Sequence, residues 1–77
     1  MVGEMSILTP GKGDVKQMWN RNNTEEVNQA RKTFEELRGK GYHAFKVAQD
    51  GGKAEQIHIF DPDAEKIILA PPMRGGM

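Results

Sequence analysis

The stretch Asn23 to Gly41, NTEEVNQARKTFEELRGKG, decides the fold. Val27, Ala30, Phe34 and Leu37 recur three or four residues apart, the period of one buried stripe on an α-helix. Asn23 or Thr24 offers a capping oxygen, and Glu25 and Glu26 follow where the helix dipole is positive. Arg38 and Lys40 fall at the opposite end, and Gly39 or Gly41 can take the left-handed conformation that stops the helix. The spacing therefore predicts a helix over Thr24 to Arg38, with Gln29, Arg31, Lys32, Glu35 and Glu36 in solvent.

Three strands are expected after this helix. Tyr42 to Gln49 runs into Asp50-Gly51-Gly52-Lys53, a hairpin signal because glycine accepts positive φ. Gln56 to Phe60 comes next and is closed by Asp61-Pro62-Asp63-Ala64, which suits a type I turn. Lys66 to Ala70 is the last, and Pro71-Pro72 ends it. Before the helix, Val15 to Asn20 reads as one short strand. Thr9-Pro10-Gly11-Lys12-Gly13 breaks regular structure ahead of it. The expected organisation is a flexible N-terminal arm over 1–13, a single α+β domain over 14–72 and a flexible glycine-rich tail over 73–77. The element order is β-α-β-β-β. One helix packs on a mixed four-stranded sheet in two layers, because a helix with a single apolar stripe must bury it against a partner layer.

Composition narrows the function. The 77 residues are about half the usual ~150 of a domain, so one domain is expected. Eleven Lys+Arg balance eleven Asp+Glu, which argues against a polybasic nucleic-acid coat and an acidic tail. With no cysteine there is no disulfide, thiolate metal site or cysteine nucleophile. The longest apolar run, Ile67 to Ala70, falls far short of the ~20 residues a membrane helix needs. Met1 to Thr9 carries Glu4 and no basic run, so it does not read as a signal peptide and a cytoplasmic location is expected.

Alternation along the strands assigns sides. Phe45 and Val47, Ile57 and Ile59, and Ile67 and Leu69 are the apolar pairs expected beneath Phe34 and Leu37. The opposite face would then carry Tyr42, Ala44 and Lys46, then Gln56, His58 and Phe60, then Lys66, Ile68 and Ala70. An apolar patch rimmed by charge reads as an interaction surface. Tyr42, Lys46, His58, Phe60, Lys66 and Ile68 are the expected partner-binding residues, with a protein partner or a second copy of the chain as the occupant. Two other readings stay open. The N-terminal arm could cover the patch through Ile7 and Leu8. Alternatively, single-stranded nucleic acid could stack on Tyr42 and Phe60 while Lys46 and Lys66 meet phosphates.

Motifs for chemistry fail on spacing. Ser6 stands where a phosphate loop needs its first glycine, and Gly13 where it needs Ser or Thr after the lysine. His43 and His58 are expected on opposite faces, so no two-histidine metal site forms. Asp61-Pro62-Asp63-Ala64-Glu65 lacks the glycine and terminal glutamate of a calcium loop. Asn22-Asn23-Thr24 is formally a glycosylation sequon, better explained by helix capping. No catalytic residue, metal, cofactor or membrane partner is expected.

Two resemblances complete the reading. Pro71-Pro72-Met73-Arg74-Gly75-Gly76-Met77 after a small α/β domain resembles the end of ubiquitin and its prokaryotic relatives. The resemblance implies that a terminal glycine carboxylate is adenylated and passed to a thiol or an amine. It makes Arg74, Gly75 and Gly76 the working tail and requires Met77 to be removed. The β-grasp of that family begins with a hairpin, where the arm here offers at most a weak strand near Met5 to Leu8. Separately, Gly13-Asp14-Val15-Lys16 with Trp19, Lys40-Gly41-Tyr42-His43-Ala44-Phe45, Phe60-Asp61-Pro62-Asp63-Ala64 through Ile67-Ile68-Leu69, and Pro71-Pro72-Met73 are similar to a set of small uncharacterised prokaryotic and phage-type proteins. That similarity implies a compact accessory protein and transfers no functional residues.

Overall fold

The computed structural model describes residues 2–9, 11, 13–48 and 52–72. In chain order the elements are β1 (Val2–Thr9), β2 (Gly13–Asn20), α1 (Thr24–Gly39), β3 (His43–Val47), β4 (Ala54–Ile57) and β5 (Lys66–Ala70). The strands form one mixed sheet in the order β2-β1-β5-β3-β4. β1 pairs antiparallel with β2 and parallel with β5, while β3 runs antiparallel to both β4 and β5. The chain is thus α+β, one helix on a five-stranded sheet.

The fifth strand is the first correction to the sequence reading. Residues 2–9, expected to belong to an arm, form β1 beside the central strand β5. The strands stop where the segment Thr9 to Gly13 is expected to break structure, with β1 ending at Thr9 and β2 starting at Gly13, but the residues ahead of the break are a strand and not an arm. Thr9 faces Gly13 across the hairpin, and Gly11 and Gly13 adopt φ of 78° and 75°. The expected tail over 73–77 lies outside the described residues.

α1 follows its sequence signals closely. The Asn23 side chain accepts from Glu25 N and Glu26 N at 3.0 and 3.2 Å. Glu26 reaches back to accept from Asn20 N at 2.8 Å, so the turn out of β2 and the helix start are tied together. At the far end Gly41 takes φ of 96°, and Gly41 N and Tyr42 N donate to the carbonyls of Arg38 and Leu37. Ala30 and Phe34 are buried, and Val27 and Leu37 pack against the core, as the stripe requires.

The core lies between α1 and one sheet face. It comprises Met5, Ile7, Trp19, Ala30, Phe34, Ala44, Phe60, Ala64, Ile67 and Leu69. Phe60 is its hub, meeting Trp19 and Phe34 edge-on with ring centroids 5.1 and 5.7 Å apart. Trp19 is fully buried and its Nε1 donates to the Pro62 carbonyl at 3.0 Å, which pins the turn before β5 to the hairpin. Gly3 lies directly across from Trp19, and a Cβ there would stand 2.3 Å from Trp19 Cζ2. The indole takes the space that a side chain at residue 3 would fill.

Candidate interaction surface

Residues directly opposite in paired strands share a face, so the register defines both sides of the sheet. Gly3, Met5 and Ile7, with Trp19, Ile67, Leu69, Ala44 and Ile57, lie on the side beneath α1. The other side has no helix over it among the described residues. One cross-strand row there runs Lys16, Ser6, Ile68, Phe45 and Gln56, and the next runs Met18, Glu4, Lys66, Val47 and Ala54. Leu8, Ala70 and His43 share this face by alternation.

Phe45, Val47, Ile68 and Leu8 are half-buried and set an apolar band across three strands. Ser6 at its middle is 5% exposed, and its hydroxyl donates to Glu4 Oε2 at 3.5 Å. Lys16 Nζ lies 3.8 Å from the same Glu4 oxygen. Both groups are open to water, so this ion pair orients Lys16 and adds little stability. At one end a hollow of about 390 Å³ opens among Val2, Met18, Val47, Glu4 and Lys66. Met18 is 60% exposed and Val2 50%. The surface is therefore an apolar strip with Lys16, Lys66 and Glu4 beside it.

The expected binding residues divide around this geometry. Lys66 and Ile68 stand on the open face as expected. Tyr42 and Lys46 stand on the helix side, because Ala44 and not Phe45 points inward. Tyr42 packs against the core, and Lys46 Nζ pairs with Asp61 Oδ2 at 3.2 Å. Phe60 is core and not surface. β4 ends at Ile57, so residues 58–60 leave the sheet, turning Phe60 inward and leaving Ile59 81% exposed. His58 is exposed in that segment, its Nδ1 3.1 Å from Arg38 Nη2. Arg74, Gly75 and Gly76 lie outside the described residues.

Sequence reasoning missed Leu8, Ser6, Phe45 and Val47 on this face. The signal that could have found them is volume. Trp19, Phe34 and Phe60 already fill the layer under α1, leaving room for the methyl of Ala44 but not for the ring of Phe45.

Among the described residues no three His, Cys, Asp or Glu are grouped to hold a metal ion, and no helix is long and apolar enough to cross a membrane. No family model, curated protein or solved structure matches the chain.

Proposed function

We propose that the chain is a non-enzymatic ubiquitin-like protein, read by partners through its open sheet face and joined to them through Gly75-Gly76. The observation that carries this is the β1–β2 hairpin ahead of α1, with β1 lying parallel to β5 at the centre of the sheet. A leading hairpin is what the β-grasp of ubiquitin-like proteins opens with. It was also the part that the sequence alone did not supply.

The route to the tail supports the same reading. β5 is the central strand and ends at Ala70, and Pro71-Pro72 cannot continue its ladder. Pro72 packs against Gly41 at the C-terminal end of α1, 3.5 Å from where a Cβ would stand, so the exit from the domain has a defined position. Arg74-Gly75-Gly76 follows one residue later, after Met73. Glycines without side chains form the thinnest strand a polypeptide offers, which suits entry into a narrow enzyme slot.

The chemistry needs a free carboxylate on Gly76, so the peptide bond to Met77 must be hydrolysed. The carboxylate oxygen then attacks the α-phosphorus of ATP, releasing pyrophosphate and leaving an acyl-adenylate. A thiolate or an amine attacks that acyl carbon and expels AMP, giving a thioester or an amide. None of these steps asks for a catalytic side chain in the domain, whose part is recognition.

Binding to single-stranded nucleic acid draws less support. The Tyr42 and Phe60 pair it relied on for base stacking does not sit together on the open face.

The test is to express an N-terminally tagged chain in its own host, purify it under denaturing conditions and digest it with trypsin. Cleavage after Arg74 would leave Gly75-Gly76 on the acceptor lysine. Lysines carrying that remnant, absent when Gly76 is deleted, are the expected result. Only unlinked chains, with and without Gly76, would refute conjugation.

A further inference from the structure

A second surface stands apart from the sheet face and from the tail. His58-Ile59 forms a bend between β4 and the buried Phe60. Its two ends are anchored, because Ile57 packs against the core and Phe60 is wedged between Trp19 and Phe34. A short bend held at both ends displays Ile59 on a fixed backbone, and Ile59 is the most exposed of the large apolar side chains described. The bend borders an open, largely apolar hollow of about 400 Å³ lined by residues 56–62.

Two arginines on α1 flank it. Arg31 and Arg38 are seven residues apart, two helical turns, and so share a side. The Arg31 guanidinium lies 5.9 Å from the centre of the Phe60 ring, and its Nη1 donates to Asn28 Oδ1 at 3.0 Å. Arg38 Nη1 donates to Tyr42 O at 2.7 Å, and its Nη2 meets His58 Nδ1, which must accept because a guanidinium only donates. Both cations are thus oriented by neutral acceptors. Among the described residues neither forms an ion pair, although Glu35 stands between them in the sequence. Positioned positive charge outside any ion pair among the described residues, beside a displayed isoleucine, calls for an anionic and apolar occupant.

We propose that Ile59, Arg31 and Arg38 form a docking site for an acidic amphipathic segment of a partner protein. Its aliphatic side chain enters the hollow beside Ile59, and its carboxylates meet the two guanidiniums through charge-assisted hydrogen bonds. The site owes nothing to the tail, and it stands or falls separately from conjugation.

The test selects ligands for the purified domain from a random linear peptide library displayed on phage. It then measures the selected peptides against wild type, Ile59→Ser, and the Arg31→Gln/Arg38→Gln pair. Ile59 is too exposed for its replacement to threaten folding, and an amide NMR spectrum confirms the fold of each variant. The expected peptides pair a carboxylate with leucine or isoleucine, lose affinity by about tenfold or more in both variants, and weaken with salt. Peptides without a carboxylate, peptides that bind the variants equally well, or no enrichment at all would overturn the proposal. Peptides whose binding is instead lost in Ile68→Asp would move the interaction to the sheet face and overturn it too.

Discussion

Gly3→Ala isolates the contact that joins the hairpin to the core. Gly3 has ordinary negative φ, so alanine meets no backbone strain there. A Gly→Ala change at such a site ordinarily stabilises by about 0.4–1 kcal/mol, because the unfolded chain loses freedom. Here the new methyl would lie 2.3, 2.4 and 2.9 Å from Trp19 Cζ2, Cε2 and Cη2. Carbon atoms prefer about 3.5–4.0 Å, so the indole must retreat by roughly 1 Å. It is fully buried, it abuts the Phe60 ring, and retreat breaks its hydrogen bond to Pro62 O. Overpacking costs about 1–3 kcal/mol, and a carbonyl left without its donor costs about 1–3 more. The net expectation is a loss of about 2–4 kcal/mol, a large share of the ~4–12 kcal/mol typical of a domain this size. Trp19 is the sole tryptophan, so urea unfolding followed by its emission reads stability and indole environment together. Adding Trp19→Phe removes the clashing ring atoms, and the double variant should lose less than the two single losses combined. A Gly3→Ala domain with an unchanged or higher urea midpoint and unshifted emission would refute this packing.

Other substitutions separate core from surface. Phe60→Ala should cost about 3–5 kcal/mol and unfold much of the population, so the Tyr42→Ala/Phe60→Ala pair should fail by thermal melting rather than by lost binding alone. Phe45→Ser with Ile68→Ser on the open face should cost far less stability than Phe60→Ala while abolishing partner capture, measured by calorimetry and pull-down on one preparation. Asn23→Ala removes the acceptor of two helix-start amides and should lower stability by about 0.5–2 kcal/mol in urea titration, with the fold retained.

The sequence made the helix and the last strand legible because each carries its signals locally. Asn23, the Val27-Ala30-Phe34-Leu37 stripe and Gly41 lie within one stretch, and Pro71-Pro72 closes β5. β1 was hidden because its inward positions are Gly3, Met5 and Ile7, and the first of these is empty so that Trp19 can occupy it. No local pattern reports a void filled from another strand. The face of β3 was misread for a related reason. Alternation says that Phe45 and Ala44 point opposite ways, but which one goes inward depends on space taken by Trp19 and Phe60 from elsewhere in the chain. Lys66 and Ile68 were placed correctly because Ile67 and Leu69 are the larger inward pair on the central strand β5. Phe60 was misplaced because the chain leaves the sheet after Ile57, a departure that alternation alone does not signal.

The central claim, that this hairpin-first domain works through Gly75-Gly76, is tested most directly by intact mass. The chain would be isolated under denaturing conditions from cells that make it naturally. A population whose mass ends at Gly76, together with heavier species carrying it on a second protein, is the predicted result. Chains that all run on past Gly76 and are joined to nothing would contradict the claim.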